Sequence, residues 1–367
     1  NRTERYFPIL RGKAFALVAN QTSVVFTGAD GTRQPRWVHL ADSLLAAGFG
    51  LKKVFAPEHG FRGTVDAGEK VSDGRDARTG LPVVSLYGTN RKPTPGQLEG
   101  LDLVVFDIQD VGVRFYTYIA TLQLVMEACA AAGIPVIVLD RPNPNGHYVD
   151  GPVMEAAHRS FLGMTEIPLV YGMTIGEYAR MINEEGWLED GLKADLQVVP
   201  LEGYTHNTAY RLPIPPSPNL PNAQAVHLYP SLGLFEGTHV NAGRGTEHQF
   251  QCFGAPFLLE SHFDFSYTPG PRPGATNPKQ DGLECHGRDL REVSPPDSVD
   301  LSWLVEAYTY RDPSAPFFKT SGFTKHAGTE SLQGQIEAGW DAARIRAGWQ
   351  ESLQAFLQIR KKYLIYD

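Results

Sequence analysis

Leu103-Val104-Val105-Phe106-Asp107-Ile108-Gln109-Asp110 begins as an unbroken apolar run and stops on polar, chemically useful side chains. The same shape recurs elsewhere. Ala14-Phe15-Ala16-Leu17-Val18-Ala19 runs into Asn20-Gln21-Thr22, and Val54-Phe55-Ala56-Pro57 into Glu58-His59-Gly60. Ile134-Pro135-Val136-Ile137-Val138-Leu139 runs into Asp140-Arg141-Pro142-Asn143. Strands that are apolar throughout belong to a sheet covered on both faces, which is the parallel kind. In an open parallel sheet, ligands bind outside the carboxyl ends of the strands. These strand ends are therefore expected to converge on one cleft, which carries the chemistry.

Working outward, strands are expected at 14–19, 53–57, 83–87, 102–107, 134–140 and 195–200. Helical stretches are expected near 37–47, 118–132 and 174–185, where Thr174 is an N-cap and Glu177 completes a capping box. Strands alternating with helices make βαβ units with right-handed crossovers, so the fold class is α/β with a mostly parallel sheet. This unit is assigned to residues 1–210. Leu212-Pro213-Ile214-Pro215-Pro216-Ser217-Pro218 holds too many prolines for a helix or a central strand, and 211–228 reads as a rigid connector. A less regular unit follows over 229–367. In it one helix is expected from about 335 to 361, because Ile336, Trp340, Ile345, Trp349, Leu353 and Phe356 form an apolar stripe suited to core packing.

The chain has 367 residues, 42% hydrophobic and 20% charged, the composition of a folded globular protein. Its formal net charge of -8 argues against nucleic acid as the main partner, since phosphate binding wants a basic face. No apolar run is long enough to span a membrane. The polar start, Asn1-Arg2-Thr3-Glu4-Arg5, holds no apolar leader segment. Cys129, Cys252 and Cys285 form no CxxC; Cys129 reads as a buried filler, and Cys252 and Cys285 are free to pair only in an oxidising compartment. There is no G-x-G-x-x-G and no P-loop, so a nucleotide cofactor is not expected. No H-E-x-x-H is present either, and no cofactor or metal is assigned.

Pro57-Glu58-His59-Gly60-Phe61-Arg62-Gly63 is the sharpest local signal. A carboxyl at an apolar strand end is partly desolvated, which favours its proton-donating form. The plain alternative is that Glu58 caps the following segment and His59 fills a polar pocket. Asp107 through Tyr118 packs Asp107, Gln109, Asp110, Arg114, Tyr116 and Tyr118 into one loop. Aromatic faces beside bidentate polar groups suit a sugar ring; an internal Asp110–Arg114 ion pair is the structural reading of the same residues. Asp140-Arg141-Pro142-Asn143-Pro144-Asn145-Gly146 is a stiff loop that mounts Arg141 and Asn143, either toward a ligand or merely to close a turn. Asn219 in the connector, and Glu236 and the glycine-framed Arg244 after it, read singly as loop residues; Arg244 also suits an anionic ligand.

APEHGFRG at 56–63, DIQDVGVRFYTYI at 107–119, LDRPNPNG at 139–146, VYGMTIGEYA at 170–179, PSPNLP at 216–221 and YPSLGLFEGT at 229–238 together resemble the bacterial exo-β-N-acetylmuramidase family. The likeness runs in order over nearly the whole chain. It implies a Rossmann-like N-terminal domain and a smaller mixed α/β C-terminal domain that walls the cleft. The implied activity is peptidoglycan recycling: release of β-1,4-linked N-acetylmuramic acid from the non-reducing end of murein fragments. The family is often exported, so an extracytoplasmic location after leader removal is expected, with a cytoplasmic one as the alternative. The family's catalytic glutamate matches Glu58. Asn241-Ala242-Gly243-Arg244-Gly245-Thr246 departs from an expected Ser-Val-Gly-Arg-Gly-Thr but keeps Arg244.

On this reading Glu58 protonates the leaving oxygen. The companion group is left open among His59, Asp107 and Asp110, with Asp66 and Glu69 as rivals on the adjoining loop. The lactyl carboxylate of muramic acid wants an arginine fork, assigned to Arg141 or Arg244 with Arg114 third. Asn20, Arg62, Gln109, Tyr116, Tyr118, Asn143, Asn219 and Glu236 complete the expected sugar contacts. Two other functions fit the same residues: a non-catalytic sugar-binding module, and a metal-dependent hydrolase built on His59 and the nearby acids.

Overall fold

The computed structural model describes residues 2–27, 36–58, 60–62 and 73–367. Its strands are β1 (Ala14–Ala19), β2 (Val24–Phe26), β3 (Trp37–His39), β4 (Gly50–Ala56), β5 (Gly74–Arg75), β6 (Pro82–Ser85), β7 (Leu103–Asp107), β8 (Val136–Leu139), β9 (Leu196–Val199), β10 (Cys252–Ala255), β11 (Phe265–Tyr267) and β12 (Cys285–Asp289). The first helices are α1 (Thr3–Leu10), α2 (Leu40–Ala46), α3 (Pro95–Leu98), α4 (Tyr118–Ala132) and α5 (Ile175–Glu184). They are followed by α6 (Ala223–Leu232), α7 (Ser302–Thr309), α8 (Thr320–Ala327), α9 (Ser331–Glu337), α10 (Ala342–Ala347) and α11 (Gln350–Arg360).

The main sheet has seven strands in the order β5-β6-β4-β1-β7-β8-β9. Every pairing is parallel except that of the edge strand β5 with β6. Numbered along the chain, its six parallel strands run 3-2-1-4-5-6, the doubly wound order, with the switch point between β1 and β7. Alternation along each strand sends side chains to two cores. Ala16, Val18, Val104, Phe106, Val136 and Val138 face one, and Phe15, Leu17, Leu103, Val105, Ile137 and Leu139 the other. The first core continues without a break into Leu228, Phe235, Phe253 and Phe323 of the smaller C-terminal unit. That unit carries the antiparallel sheet β10-β12-β11.

The parallel strands finish level with one another: Val18 pairs with both Phe55 and Phe106, and Phe106 with Val138. The α5 start is the expected capping box, with Thr174 Oγ1 accepting from Glu177 N at 3.2 Å and Glu177 Oε2 accepting from Thr174 N at 2.9 Å. Two expectations fail. Residues 37–39 are not helical: Trp37, Val38 and His39 pair with β2, and α2 starts at Leu40. The helix expected over 335–361 is three helices. Gly339 adopts φ 73°, which ends the first, and the Asp341 carboxylate accepts from Arg344 N at 2.7 Å to start the next. The stripe still packs inward, with Ile336, Ile345, Trp349, Leu353 and Phe356 buried. Periodicity located the buried face but not the breaks.

Candidate active site

Glu58 follows β4 on a turn in which Gly60 N donates to Pro57 O at 3.0 Å and Gly60 takes φ 77°. Its carboxylate, half-buried, accepts from the Thr117 hydroxyl at 3.1 Å. Thr117 stands at the N-cap position of α4 yet makes no side-chain cap; its hydroxyl is turned to Glu58 instead. Glu58 opens onto a cavity of about 160 Å³ walled by the C-terminal unit. One wall is aromatic: Phe115 meets Tyr229 edge-on at 5.1 Å, and Tyr229 meets Phe250 at 4.8 Å. Tyr116 lies 4.8 Å from Tyr118 and donates to Pro216 O at 2.8 Å. Gly233 makes room for this wall, since a Cβ there would stand 2.4 Å from the Phe115 ring.

Glu236 and Arg244 line the same cavity and pair at 2.8 Å. Arg244 sits between Gly243 at φ 73° and Gly245 at φ 83°. Its other amino group donates to Gly274 O at 3.2 Å. Lys279 lies 4.0 Å from Glu236 and donates to the carbonyls of Phe235 and Glu236. Burial would raise the Glu236 carboxyl, but Arg244, Lys279 and His326 outweigh it and hold Glu236 at about 2. Burial pushes Lys279 down to about 8, with Glu236 opposing. Below that pH, Arg244 and Lys279 against Glu236 leave an excess positive charge on this wall. Asn241, at the departure from the expected motif, braces the loop by donating to Arg244 O at 3.0 Å and Lys279 O at 2.7 Å.

Of the residues singled out in the sequence, the cavity gathers Glu58, Tyr116, Asn219, Glu236 and Arg244. Asn219 donates to Gly274 O at 2.7 Å and leaves its Oδ1 buried without a partner. Tyr118 and Asn20 lie just behind the wall. The Tyr118 hydroxyl and Asn20 Nδ2 are also buried and unpartnered, while Asn20 Oδ1 accepts from Thr22. Burial, and then the Glu58 charge, raise the Tyr118 phenol well above its ordinary value. His59, Asp66 and Glu69 lie outside the described residues.

The other candidates are elsewhere. The strand ends do not share one hollow, because the turn after β1 fills the space between them. Ser23 Oγ donates to Asp107 O, Gln109 N to Thr22 Oγ1 at 3.0 Å, and Gln21 Nε2 to Pro215 O at 3.2 Å and Pro216 O at 3.0 Å. Asp107 and Arg141 form an ion pair on a separate cavity, with Nε at 2.8 Å and Nη2 at 2.5 Å from Oδ1. Arg114 is buried and donates to the carbonyls of Pro152, Ile167, His326 and Ala327 at 2.7–3.0 Å, so it clasps backbone and reads no ligand. Burial without a counter-ion pushes it down to about 9. The expected Asp110–Arg114 pair is absent: Asp110 accepts from Tyr171 and from Gly112 N at 2.7 Å.

Gln109 and Asn143 are structural. Gln109 donates to Asp110 O and Pro142 O, and Asn143 to Met173 O at 2.8 Å against the glycine backbone of Gly112. Arg62 bridges Asp42 at 3.1 Å and Asp76 at 2.8 Å. All three cysteines are buried free thiols. Among the described residues no cluster of His, Cys, Asp or Glu could hold a metal ion. Thr117, Tyr229, Phe250, Lys279 and His326 escaped sequence reading. Thr117 and Tyr229 stood inside conspicuous motifs, at 107–119 and 229–238; the others did not.

The chain is similar to known proteins over nearly its whole length. Family models described as exo-β-N-acetylmuramidase NamZ, N-terminal and C-terminal, match residues 15–224 and 227–366. The peptidoglycan β-N-acetylmuramidase NamZ of Bacillus subtilis (strain 168) is 41% identical over 334 residues, covering 86% of this chain and 80% of its own. The crystal structure of a DUF1343 family protein from Bacteroides fragilis NCTC 9343 aligns with a TM-score of 0.88 at 41% identity, over 100% of this chain and 97% of that one. A second from the same organism gives 0.79 at 28% identity, over 100% and 97%.

Proposed function

The chain belongs to the exo-β-N-acetylmuramidase NamZ family, and from that premise we propose that Glu58 is the general acid of its reaction and Arg244 the reader of the sugar's lactyl carboxylate. The enzyme is a glycosidase that removes N-acetylmuramic acid from peptidoglycan fragments. The finer reading is release of the β-1,4-linked residue at the non-reducing end. The observation that carries it is a single cavity presenting the Glu58 carboxyl, an aromatic wall and the Glu236–Arg244 pair.

Each part has a task. The Glu58 proton passes to the glycosidic oxygen as the bond from that oxygen to the anomeric carbon breaks, so the leaving sugar departs as a neutral alcohol; the oxygen of a water molecule ends on the anomeric carbon, and the proton it gives up restores the Glu58 carboxyl. Glu236, held ionised by Arg244 and Lys279, is the carboxylate beside the developing positive charge on the sugar ring. Aromatic faces at Phe115 and Tyr229 suit the C–H faces of a pyranose. The positive excess of Arg244 and Lys279 suits the lactyl carboxylate, which glucosamine lacks.

The substrate class also supports an extracytoplasmic location, because murein lies outside the cytoplasmic membrane; cell fractionation tests it. A chromogenic β-N-acetylmuramide, with the β-N-acetylglucosaminide as control, tests the reaction. Cleavage of the first alone is expected. Equal turnover of both removes the assignment to Arg244, and no cleavage of either overturns the reading.

A further inference from the structure

A second cavity, of about 170 Å³, lies beside the switch point of the sheet, outside the carboxyl ends of β7, β8 and β9. It shares no lining residue with the Glu58 cavity. In doubly wound sheets this crevice is where ligands bind. The glycine-rich phosphate loop is missing here, and in its place the floor is the Asp107–Arg141 ion pair. Tyr6, Leu139, Val199 and Tyr210 supply apolar walls.

The pair is bonded one-sidedly. Arg141 Nε and Nη2 both donate to the same oxygen, Asp107 Oδ1. Among the described residues nothing else hydrogen-bonds Arg141 Nη1 or Asp107 Oδ2. A fork-to-fork pair would have engaged both carboxylate oxygens at once. This one keeps a donor and its partner keeps an acceptor, side by side at the base of a small apolar hollow. A nearly buried ion pair contributes little to stability compared with packed hydrophobic residues, so stability alone gives no reason for it. The Asp107 and Arg141 charges cancel; of the other charged residues on the lining, Arg2 pairs with Glu4 at 2.8 Å and Asp140 accepts from Thr174, Gly176 and Tyr366. This balance selects against an ionic guest and for a neutral one that offers an acceptor next to a donor. That edge is a carboxamide.

We propose that the switch-point cavity is a second binding site, for a small neutral molecule presenting a carboxamide edge to Arg141 and Asp107. The carbonyl oxygen accepts from Arg141, and the amide N–H donates to Asp107 Oδ2. The walls of Tyr6 and Tyr210 take the body of the guest. The site stands independently of the assignment of Glu58, because the two cavities are separate.

Ligand-observed NMR with benzamide, and with benzoate and benzylamine as charged analogues, tests it on the whole protein. Benzamide binds saturably, and both analogues bind at least about tenfold more weakly. Tyr210→Trp, which fills the cavity from its rim, removes benzamide binding. Leu162→Trp, which narrows the Glu58 cavity, leaves it unchanged. Melting curves confirm that both variants fold, and a crystal soaked with benzamide places the ring against Tyr6. Benzoate binding as well as benzamide overturns the proposal. So does benzamide binding that survives Tyr210→Trp, or that disappears in Leu162→Trp, and so does the absence of any binding up to the solubility limit.

Discussion

The Thr117 hydroxyl donates to Glu58 Oε2 at 3.1 Å, which ties the first turn of α4 to the turn after β4. The two residues are far apart in sequence, and each element is fixed by its own core. Ala56 and Phe55 are fully buried below Glu58, and Ile119 and Leu122 are buried behind Thr117. The carboxyl, on the turn just after β4, is therefore tied to the start of α4 as well as to the strand, which positions it as a proton donor in a glycosidase requires.

Glu58→Gln keeps the size and polarity of the side chain but carries no transferable proton. Turnover of a chromogenic β-N-acetylmuramide is expected to fall by about 10²–10⁴, the usual worth of a general acid. The melting temperature stays within a few degrees of wild type. Undiminished turnover in a folded Glu58→Gln protein removes the proposed mechanism.

Thr117→Val removes the hydroxyl and keeps the branched shape. A hydrogen bond to the neutral acid contributes about 0.5–1.5 kcal/mol, so a kcat loss of roughly two- to tenfold is expected, with KM little changed. Thr117→Ser restores most of it. If Ser is as slow as Val, the hydroxyl has no positioning role.

Arg244→Lys keeps the charge and discards the fork. The preference for the muramide over the glucosaminide, read as a ratio of kcat/KM values, is expected to drop by about 10- to 100-fold. An unchanged ratio places lactyl recognition elsewhere.

Asp110 predicts a pH dependence of stability. Burial raises its carboxyl to about 6, against the bonds from Tyr171 and Gly112. In the unfolded chain it titrates near about 3.9. Between those values the unfolded chain has lost the proton and the folded chain still holds it, so this group's contribution falls as pH rises through the window. Asp110→Asn has no proton to lose. Its stability deficit relative to wild type, measured by urea unfolding, is expected to shrink by on the order of 1–3 kcal/mol from pH ~4 to pH ~8. A constant deficit contradicts the assignment.

The C-terminal residues latch onto the main sheet. Tyr366 donates to Asp140 Oδ2 at 2.6 Å, and Ile365 N to Glu177 Oε1 at 2.7 Å. Asp140 also accepts from Thr174 Oγ1 at 2.7 Å and Gly176 N at 2.8 Å. Tyr366→Phe leaves that buried carboxyl one donor short, and a loss of about 1–3 kcal/mol in chemical denaturation is expected. No loss shows that the latch is ornamental.

The parallel sheet, its strands and the α5 capping box could be read directly, because each depends on residues close together in the chain. Continuous apolar runs require burial on both faces whatever lies around them. Glu58, at a strand end just before Gly60, and Arg244, framed by Gly243 and Gly245, stand out in the sequence, whereas Glu236 reads singly as a loop residue. Three of the expected sugar contacts were misplaced for one reason. Arg114, Asn143 and Gln109 have the right chemistry in the right loop, but their donors are spent on backbone carbonyls from segments distant in sequence.

The sequence alone determined which elements form and which residue types cluster at their ends, since propensity, capping and hydrophobic periodicity act over a few residues. Only the tertiary structure decided which of those ends face each other. The turn after β1 packs across the strand ends, so Glu58 opens toward Glu236 and Arg244 while Asp107 and Arg141 face a different hollow. That division is set by packing and hydrogen bonds between segments far apart in the chain, which no local pattern encodes.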